Sequence, residues 1–425
     1  MRYPDTFYSR TLRDARARPV LTGVEEADVV IVGGGFAGLT TALELTRAGK
    51  LVIVLEAESV GFGASGRNGG IVSPAFSGGD EAIRARVGSK AARELHRLSI
   101  EGVERLRATI ADLKIDGAVT GEGLLSLRRF DRADDLKRHA EEFDRDFGYE
   151  MRYLDRTALS EQLVSGRYHH ALYDPRSFHI HPLNTLRGIA AEVERLGGRI
   201  FEASAATGHD LTGSVKQVTT ATGRAEAPAL ILATGGYTGP LVPRLKRAIL
   251  PIATYLTMSE AAPDLLASAI RTRASMYDDR RAGDYYRLVE GGSRLLWGGR
   301  ITTRAASPEG IVRELRREMV GAFPQLEGLK IELAWSGLMG YARHLMPQVG
   351  EMGPGVWHIT AFGGHGLNTT AIAGKVLAEA MLGESDRISM FAPFGLDWAG
   401  GAAGLVAAQL TYWKLQMQDR WRERG

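Results

Sequence analysis

Residues 33–38 have the glycine spacing of a turn that binds a dinucleotide. Glycine at the first, third and sixth places of GxGxxG permits a tight turn, a close approach of backbone to a pyrophosphate, and close packing of helix on strand. Glu56 lies 18 residues beyond Gly38, where a carboxylate can accept hydrogen bonds from the hydroxyls of an adenosine ribose. Together these residues predict a site for NAD or FAD.

The elements needed to position this site also follow in order. Residues 28–32 predict a short buried parallel strand, because the four residues that follow Asp28 are apolar and β-branched. A helix is expected from the turn to residue 48, ended by Gly49, and residues 51–55 form a second strand that leads to Glu56. Strand, turn, helix, strand and acid make a much stronger prediction than the glycines alone.

The composition excludes several kinds of site. The 425 residues include no cysteine, which rules out a redox disulfide, a cysteine-ligated metal centre and a thioether link to a cofactor. Lys and Arg number 53 against 50 Asp and Glu, so no nucleic-acid-binding surface is expected. No secretory signal or membrane span is evident, and we expect a cytoplasmic protein.

Two further glycine-rich turns, at residues 61–70 and 363–366, favour FAD over NAD. A nicotinamide site does not need them, whereas a flavin is longer and needs backbone amides along its ribityl chain and pyrimidine ring. The second turn precedes a predicted helix at 371–382, whose positive end could face the N1–C2=O edge of the flavin. We therefore expect non-covalently bound FAD.

The order of elements predicts an α/β (α+β composite) fold, with a Rossmann-like FAD-binding domain assembled from discontinuous segments. Between residues 251 and 331 the pattern changes to strands of antiparallel type with a helix at 308–323, which indicates an inserted substrate domain built on an antiparallel sheet. The expected boundaries are 1–95, 170–248 and 335–395 for the FAD-binding domain, 96–169 and 249–334 for the substrate-binding domain, and 396–425 for a C-terminal helical tail.

Seven motifs carry a family resemblance: GGGFAG (33–38), Glu56, GASGRNGG (63–70), ILATGGY (231–237), LLWGGR (295–300), Trp335-Ser336-Gly337 and GGHGLNTTAIAGKVLAE (363–379). With them the chain resembles the D-amino-acid-oxidase-like (DAO) family of FAD-dependent amine oxidoreductases, and most of all its γ-glutamylputrescine oxidase subgroup. The resemblance implies that the following residues hold FAD: Gly33, Gly35, Phe36, Ala37, Gly38, Glu56, Ala57, Gly63, Ala64, Ser65, Arg67, Asn68, Gly69, Gly70, Ala233, Thr234, Gly235, Gly364, His365, Gly366, Leu367, Asn368 and Thr369.

One departure from the family pattern bears on the substrate. Relatives that act on small α-amino acids often have Arg four residues after the Trp of the Trp-x-Gly segment, where it clamps the substrate carboxylate. Here that residue is Met339, which favours an amine. The expected reaction is oxidation of a primary or secondary amine, with a γ-glutamylated polyamine as one candidate, by hydride transfer to flavin N5 and hydrolysis of the imine.

Several alternatives stay open. The chain could be a D-amino-acid dehydrogenase or oxidase, a sarcosine-type oxidase, or a protein whose FAD is structural or serves a partner. An NAD-dependent dehydrogenase is least favoured. The electron acceptor is either O2 or an electron carrier, and the residues do not discriminate between them.

Three side chains are candidates for positioning the substrate. The family motif places Trp335 beside the flavin ring, His365 lies between glycines in the second turn, and Tyr286 belongs to a group of aromatic residues that could form a wall. That group comprises Tyr255, Tyr277, Tyr285, Tyr286, Trp297, Trp335 and Tyr341. For each aromatic residue, packing in the core is the commoner role.

Other polar and aromatic residues have weaker claims. Arg287 and Arg300 could meet an anionic substrate tail, although exposed arginine is commoner. His179 and His181 have no third ligand at a suitable spacing, so no metal is expected. The aromatic and basic tail at 412–422 is expected to dock on its own protein, with a membrane surface or partner chain as the alternative.

Overall fold

The computed structural model describes residues 3–280, 283–303 and 308–423. Its strands are β1 (Gly23–Glu26), β2 (Val29–Val32), β3 (Val52–Leu55), β4 (Ile71–Val72), β5 (Val119–Arg128), β6 (Arg152–Leu154), β7 (His170–Ile180), β8 (Arg199–Phe201), β9 (Gly208–Asp210), β10 (Lys216–Thr219), β11 (Gly223–Ala227), β12 (Ala229–Leu232), β13 (Leu250–Ser259), β14 (Ser275–Asp278), β15 (Tyr285–Val289), β16 (Arg294–Thr302), β17 (Ile331–Tyr341), β18 (Gln348–Gly353) and β19 (Val356–Thr360).

The helices lie before, between and after groups of these strands along the chain. They are α1 (Phe7–Arg10), α2 (Phe36–Arg47), α3 (Asp80–Asp112), α4 (Ala133–Phe147), α5 (Arg156–Gln162), α6 (Pro182–Arg195), α7 (Pro243–Arg247), α8 (Pro263–Ala267), α9 (Pro308–Ala322), α10 (Gly366–Leu382) and α11 (Gly401–Arg422). Gly88 interrupts α3 with a φ of 79°. Among the residues described, no helix is long and apolar enough to cross a bilayer.

A six-stranded sheet forms the centre of the nucleotide-binding half. Its order is β18-β19-β12-β2-β3-β8, and β2, β3, β8, β12 and β19 run parallel, with β18 antiparallel at one edge. Because β3 and β12 lie on opposite sides of β2, the chain changes direction across the sheet at β2. A crevice at the carboxyl ends of the strands is expected at such a switch point.

Both faces of this sheet are covered, which explains why its strands are apolar at every position. Val29 and Ile31 of β2 pack with helices α2, α3, α6 and α10, while Val30 and Val32 face a core shared with β10 and β11. Successive side chains of a strand point to opposite faces, so one four-residue strand contributes to both cores.

A nine-stranded sheet forms the other half. Its order is β17-β13-β16-β15-β14-β5-β7-β4, with β6 also paired to β7. The prediction of an antiparallel sheet holds for most pairs, but β14 and β5 are parallel. The long strands β7 and β17 were absent from the sequence-based assignment, and helix α10 begins at Gly366, five residues before the predicted start.

Candidate active site

A cavity of about 870 Å³ lies between the two large sheets. The carboxyl ends of β2, β3 and β12 contribute Val32, Leu55 and Ala233 to its lining. The nine-stranded sheet contributes Tyr285 and Met339. This volume is at the upper end of the range for cofactor and ligand sites.

The glycine turn forms one end of this cavity. Gly33 has a φ of 118°, which a side chain rarely adopts, and Gly35 caps the start of α2. A Cβ on Gly38 would lie 2.0 Å from the carbonyl oxygen of Gly33, so only glycine lets the helix approach the turn. The first amides of a helix have no acceptor inside it, and those of α2 begin at the cavity, where they suit a pyrophosphate.

Glu56 lies beside this turn at the end of β3. Its carboxylate accepts hydrogen bonds from the backbone N–H of Gly34 (2.8 Å) and of Glu58 (3.0 Å). Burial raises the pKa of Glu56, while these two backbone donors act in the opposite direction. The carboxylate therefore fastens the turn to β3 and also lines the cavity, where ribose hydroxyls would reach it.

The segment at 63–70 crosses from the turn toward the nine-stranded sheet and is fixed by its own polar side chains. Ser65 Oγ accepts a hydrogen bond from the N–H of Phe36 (3.0 Å). The Asn68 amide donates to Ala64 and Ser65 oxygens (3.1 and 2.8 Å) and accepts from the N–H of Gly70 (2.8 Å). Asn68 thus lines the cavity while holding its own loop in shape.

Arg287 supports the segment at 63–70 from the side away from the cavity, so it does not meet a substrate tail. Its side chain is fully buried and donates to the carbonyl oxygens of Gly69 (2.7 Å) and Ile180 (2.8 Å). It also contacts Nδ1 of His179 at 2.8 Å, whose Nε2 lies 2.9 Å from the Arg273 carbonyl oxygen. Burial and the Arg287 charge depress the pKa of His179 to about 3, so this ring is neutral.

The positive end of helix α10 forms the opposite end of the site. Gly364, His365 and Gly366 line the cavity, and the Ser77 hydroxyl accepts hydrogen bonds from the N–H groups of Gly364 (2.8 Å) and His365 (3.3 Å). Burial lowers the pKa of His365, which keeps its ring neutral.

Three residues assigned to the cofactor from the family pattern do not line the cavity. Gly38 acts through packing, as described above. Asn368 is on the inner side of α10, where its amide donates to the carbonyl oxygens of Ala75 (3.2 Å) and Ser99 (3.3 Å). The Thr369 hydroxyl donates to the carbonyl oxygen of His365. All the other residues assigned to FAD line the cavity.

Two of the three proposed substrate-positioning residues also lie elsewhere. Tyr286 is fully buried and stacks on Trp297, with ring centroids 4.1 Å apart. Trp335 packs edge-on against Tyr8, and its indole N–H donates to the carbonyl oxygen of Arg67 (2.9 Å). Neither ring lines the cavity, whereas His365 does.

Four tyrosines that do line the cavity are Tyr237, Tyr277, Tyr285 and Tyr341, and the lining also includes Tyr149, Phe36, Phe62, Phe143 and Phe362. Tyr285 precedes Tyr286 in β15 and therefore points to the opposite face of the sheet. A Cβ on Gly69 would lie 2.6 Å from the Tyr285 ring, so the glycine leaves room for it. Sequence reasoning included Tyr285 and Tyr341 in the aromatic group but chose Tyr286 from it, and alternation within β15 shows only that Tyr285 and Tyr286 face opposite ways.

Among the charged residues that line the cavity, Arg300 was considered from sequence, whereas Arg128, Asp278, Arg280 and Asp284 were missed. Arg280 pairs with Asp278 (2.7 Å) and with Glu318 (2.6 Å), and Arg300 pairs with Glu318 (3.0 Å). Burial raises the pKa of the cavity-lining Asp284, against the charge of Arg280.

The residues present fit FAD. The cavity connects a helix amino terminus suited to pyrophosphate, a carboxylate suited to ribose, and a second helix amino terminus suited to the reduced flavin ring. At Gly35, a Cβ would lie 2.8 Å from Ser65 Oγ, so the cradle has no room for a side chain there. Among the residues that the structure describes, no group of three or more His, Cys, Asp or Glu could hold a metal.

This fold and this cavity are those of a FAD-dependent oxidoreductase. The chain belongs to the family described as "DAO: FAD dependent oxidoreductase", whose profile matches residues 28–380. It is 35% identical over 367 residues to gamma-glutamylputrescine oxidoreductase of Escherichia coli, covering 86% of each chain. It is 36% identical over 380 residues to the "Probable oxidoreductase OrdL" of Haemophilus influenzae, covering 88% of this chain and 87% of the relative.

Solved structures of lower identity share the fold. Glycine oxidase from Geobacillus kaustophilus superposes with a TM-score of 0.73 at 22% identity, covering 88% of this chain and 99% of that one. L-Amino acid deaminase from Proteus myxofaciens gives a TM-score of 0.74 at 18% identity, covering 91% and 96%. The cofactor of this family is FAD, and its members act on amines or amino acids, so the chain is an amine or amino-acid oxidoreductase.

Proposed function

We propose that the protein oxidises a primary or secondary amine, and that its substrate is a γ-glutamylated polyamine. The observation that carries the choice of an amine is Met339, which lines the cavity at the place where relatives acting on small amino acids often have an arginine. A thioether offers no bidentate partner to a carboxylate, so a small α-amino acid would lose its main anchor.

FAD, when bound, would supply the acceptor for a hydride from the carbon next to the amine nitrogen. The chain's own residues orient the amine and exclude water. Burial raises the pKa values of Tyr285 and Tyr341, so both present neutral hydroxyls and apolar ring faces. The neutral ring of His365 adds no positive charge that would repel an incoming ammonium group.

Arg128 supports a glutamylated substrate. It lines the cavity together with Leu124 and Ser126, which lie on the same face of β5. Its guanidinium donates to the neutral oxygens of Ser126 (2.8 Å) and Leu127 (3.2 Å), so its charge is available to a carboxylate. The similarity to gamma-glutamylputrescine oxidoreductase supports the same substrate class.

The second candidate is oxidation of a small amino acid, which the likeness in fold to glycine oxidase favours. Arg280 or Arg300 would then have to replace the missing clamp. Both already pair with carboxylates, Arg280 with Asp278 and Arg300 with Glu318, and their charges are therefore largely compensated. This argues for the amine.

Anaerobic reduction of the flavin tests the proposal. A γ-glutamylated diamine should bleach the 450 nm band faster than glycine, sarcosine or D-alanine. Arg128→Gln should raise the half-saturating concentration of the glutamylated amine by ~10–100-fold, the loss of one charged hydrogen-bond pair, and leave a simple alkylamine unaffected. Arg138→Gln, on the exposed face of α4, is the matched control. Faster reduction by the amino acids would reject the amine.

We also propose the domain division given above, except that β7 and β17, which belong to the nine-stranded sheet, go with the substrate-binding domain, so that FAD and substrate meet where the two large sheets face each other. The cavity lining drawn from both sheets supports it. Limited proteolysis of the holoprotein should cut first near residues 248–249 and 395–396, the proposed boundaries that lie outside helices and strands, and cuts confined to the interior of either sheet would contradict the division.

A further inference from the structure

The C-terminal helix α11 is attached to the body of the protein by one face. Tyr412 is buried, and Gln409 Oε1 accepts a hydrogen bond from the N–H of Thr303 (3.0 Å). Near its end, Asp419 and Glu423 both pair with Arg129. Through these contacts one face of α11 docks on the protein itself, so the opposite face of the helix points away from the protein.

The opposite face carries an apolar stripe that is open to solvent. Its members are spaced four, three, four and four residues apart, the spacing of one helix face. They are exposed by 56–82%, and Trp421 is the most exposed at 82%. Large apolar residues in such a row mark an interaction surface more often than scattered ones do. The stripe consists of Val406, Leu410, Trp413, Met417 and Trp421.

The charges beside this stripe have one sign. Lys414, Arg420 and Arg422 are exposed on α11. The acids at this end, Asp419 and Glu423, are held by Arg129. The outer face therefore combines tryptophan and aliphatic side chains with cations, which is the composition of helices that lie in the interface of an anionic bilayer.

We propose that this face of α11 binds the surface of a membrane that contains anionic phospholipid. The helix would lie in the plane of the interface, with the stripe in the acyl boundary and the three cations among the headgroups. A second copy of the chain fits less well. From Val406 to Trp421 the stripe is ~22 Å long and ~10 Å wide, or ~220 Å², far below the ~800 Å² per partner of a stable interface.

Vesicle flotation of the holoprotein tests this proposal. Binding is expected to vesicles of phosphatidylcholine with 30% phosphatidylglycerol, to weaken as salt is raised, and to be at least tenfold weaker on phosphatidylcholine alone. Replacing Trp413 and Trp421 together by Ser should abolish flotation. Replacing Lys414, Arg420 and Arg422 by Gln should weaken it about fivefold per cation removed.

The matched control is Leu51→Ser, which changes a residue as exposed as Leu410, at 56%, outside α11. All variants should keep the flavin content and melting temperature of the parent, because the changed side chains face solvent. The absence of flotation on anionic vesicles would overturn the proposal. So would a dimer seen by light scattering that the Trp413→Ser/Trp421→Ser variant converts to monomer.

Discussion

Replacing Gly38 by Ala sets two effects against each other: the higher helix preference of alanine and the close packing of α2 on the glycine turn. Alanine in a helix interior is favoured over glycine by about 1 kcal/mol. Against this, the added Cβ would lie 2.0 Å from the Gly33 carbonyl oxygen, and ordinary contact begins at 3.4 Å, so helix and turn must separate by about 1.4 Å. Overpacking of this kind costs about 1–3 kcal/mol or more, and the clash with backbone should win.

The separation moves the amides that face the pyrophosphate, so FAD should be lost before the fold is. We expect the flavin-to-protein absorbance ratio to fall sharply after gel filtration, with a lower melting temperature that added FAD partly restores. In whatever flavin remains bound, a displacement of 1 Å can slow reduction by ~100-fold. Gly35→Ala should lower the melting temperature less, because its Cβ would meet only the Ser65 side chain, at 2.8 Å from Oγ, although it would still crowd the pyrophosphate and weaken FAD retention.

The matched control is Gly321→Ala in helix α9. Its Cβ would meet only the end of the flexible Arg167 side chain, at 2.7 Å, so the substitution should be neutral or slightly stabilising. A Gly38→Ala protein with full flavin content and an unchanged melting temperature would refute the packing argument. Equal losses in Gly38→Ala and Gly321→Ala would do so as well.

Four further outcomes are expected. Glu56→Ala should weaken FAD retention by ~1–3 kcal/mol in an equilibrium titration, for a lost charged hydrogen bond; unchanged affinity would place the ribose elsewhere. Tyr285→Ala should slow flavin reduction and leave the melting temperature near that of the parent, whereas Tyr286→Ala should mainly lower the melting temperature. The opposite pair of results would mean that Tyr286, and not Tyr285, faces the cavity. Trp335→Ala should cost ~3–5 kcal/mol in chemical denaturation, and slowed reduction in a fully stable protein would contradict this. The depressed pKa of His179, about 3 against 6.5 when unfolded, means that the unfolded state binds more protons between those values. Stability should therefore fall as the pH drops below about 6.5, by ~2 kcal/mol at pH 5 for this residue, and a flat profile would show the histidine to be accessible.

The dinucleotide turn could be predicted from sequence because its requirements are local. Gly33 needs a positive φ, Gly35 and Gly38 need the absence of a Cβ, and Glu56 must end the next strand, all within one strand–helix–strand unit. The fold class followed from the same unit and from the change of pattern after residue 251.

The fate of single side chains on the nine-stranded sheet could not be predicted in the same way. An arginine is usually exposed, but Arg287 is buried because residues distant in sequence surround its guanidinium with acceptors. These acceptors are on Gly69, His179 and Ile180. A helical tail was predicted for residues 396–425, and helix α11 occupies Gly401–Arg422, but its apolar stripe became visible only when the docked face was known.

The cofactor class and the turn that binds it could be predicted from the residues alone, since backbone conformation and glycine spacing are properties of a short segment. Three placements depend on the packing of distant elements: Tyr285 faces the cavity, Tyr286 stacks on Trp297, and the Trp335 indole donates to the backbone of Arg67. Both faces of the nine-stranded sheet carry apolar side chains, so alternation along a strand does not tell which face meets the cofactor. That choice depends on which elements pack against each side.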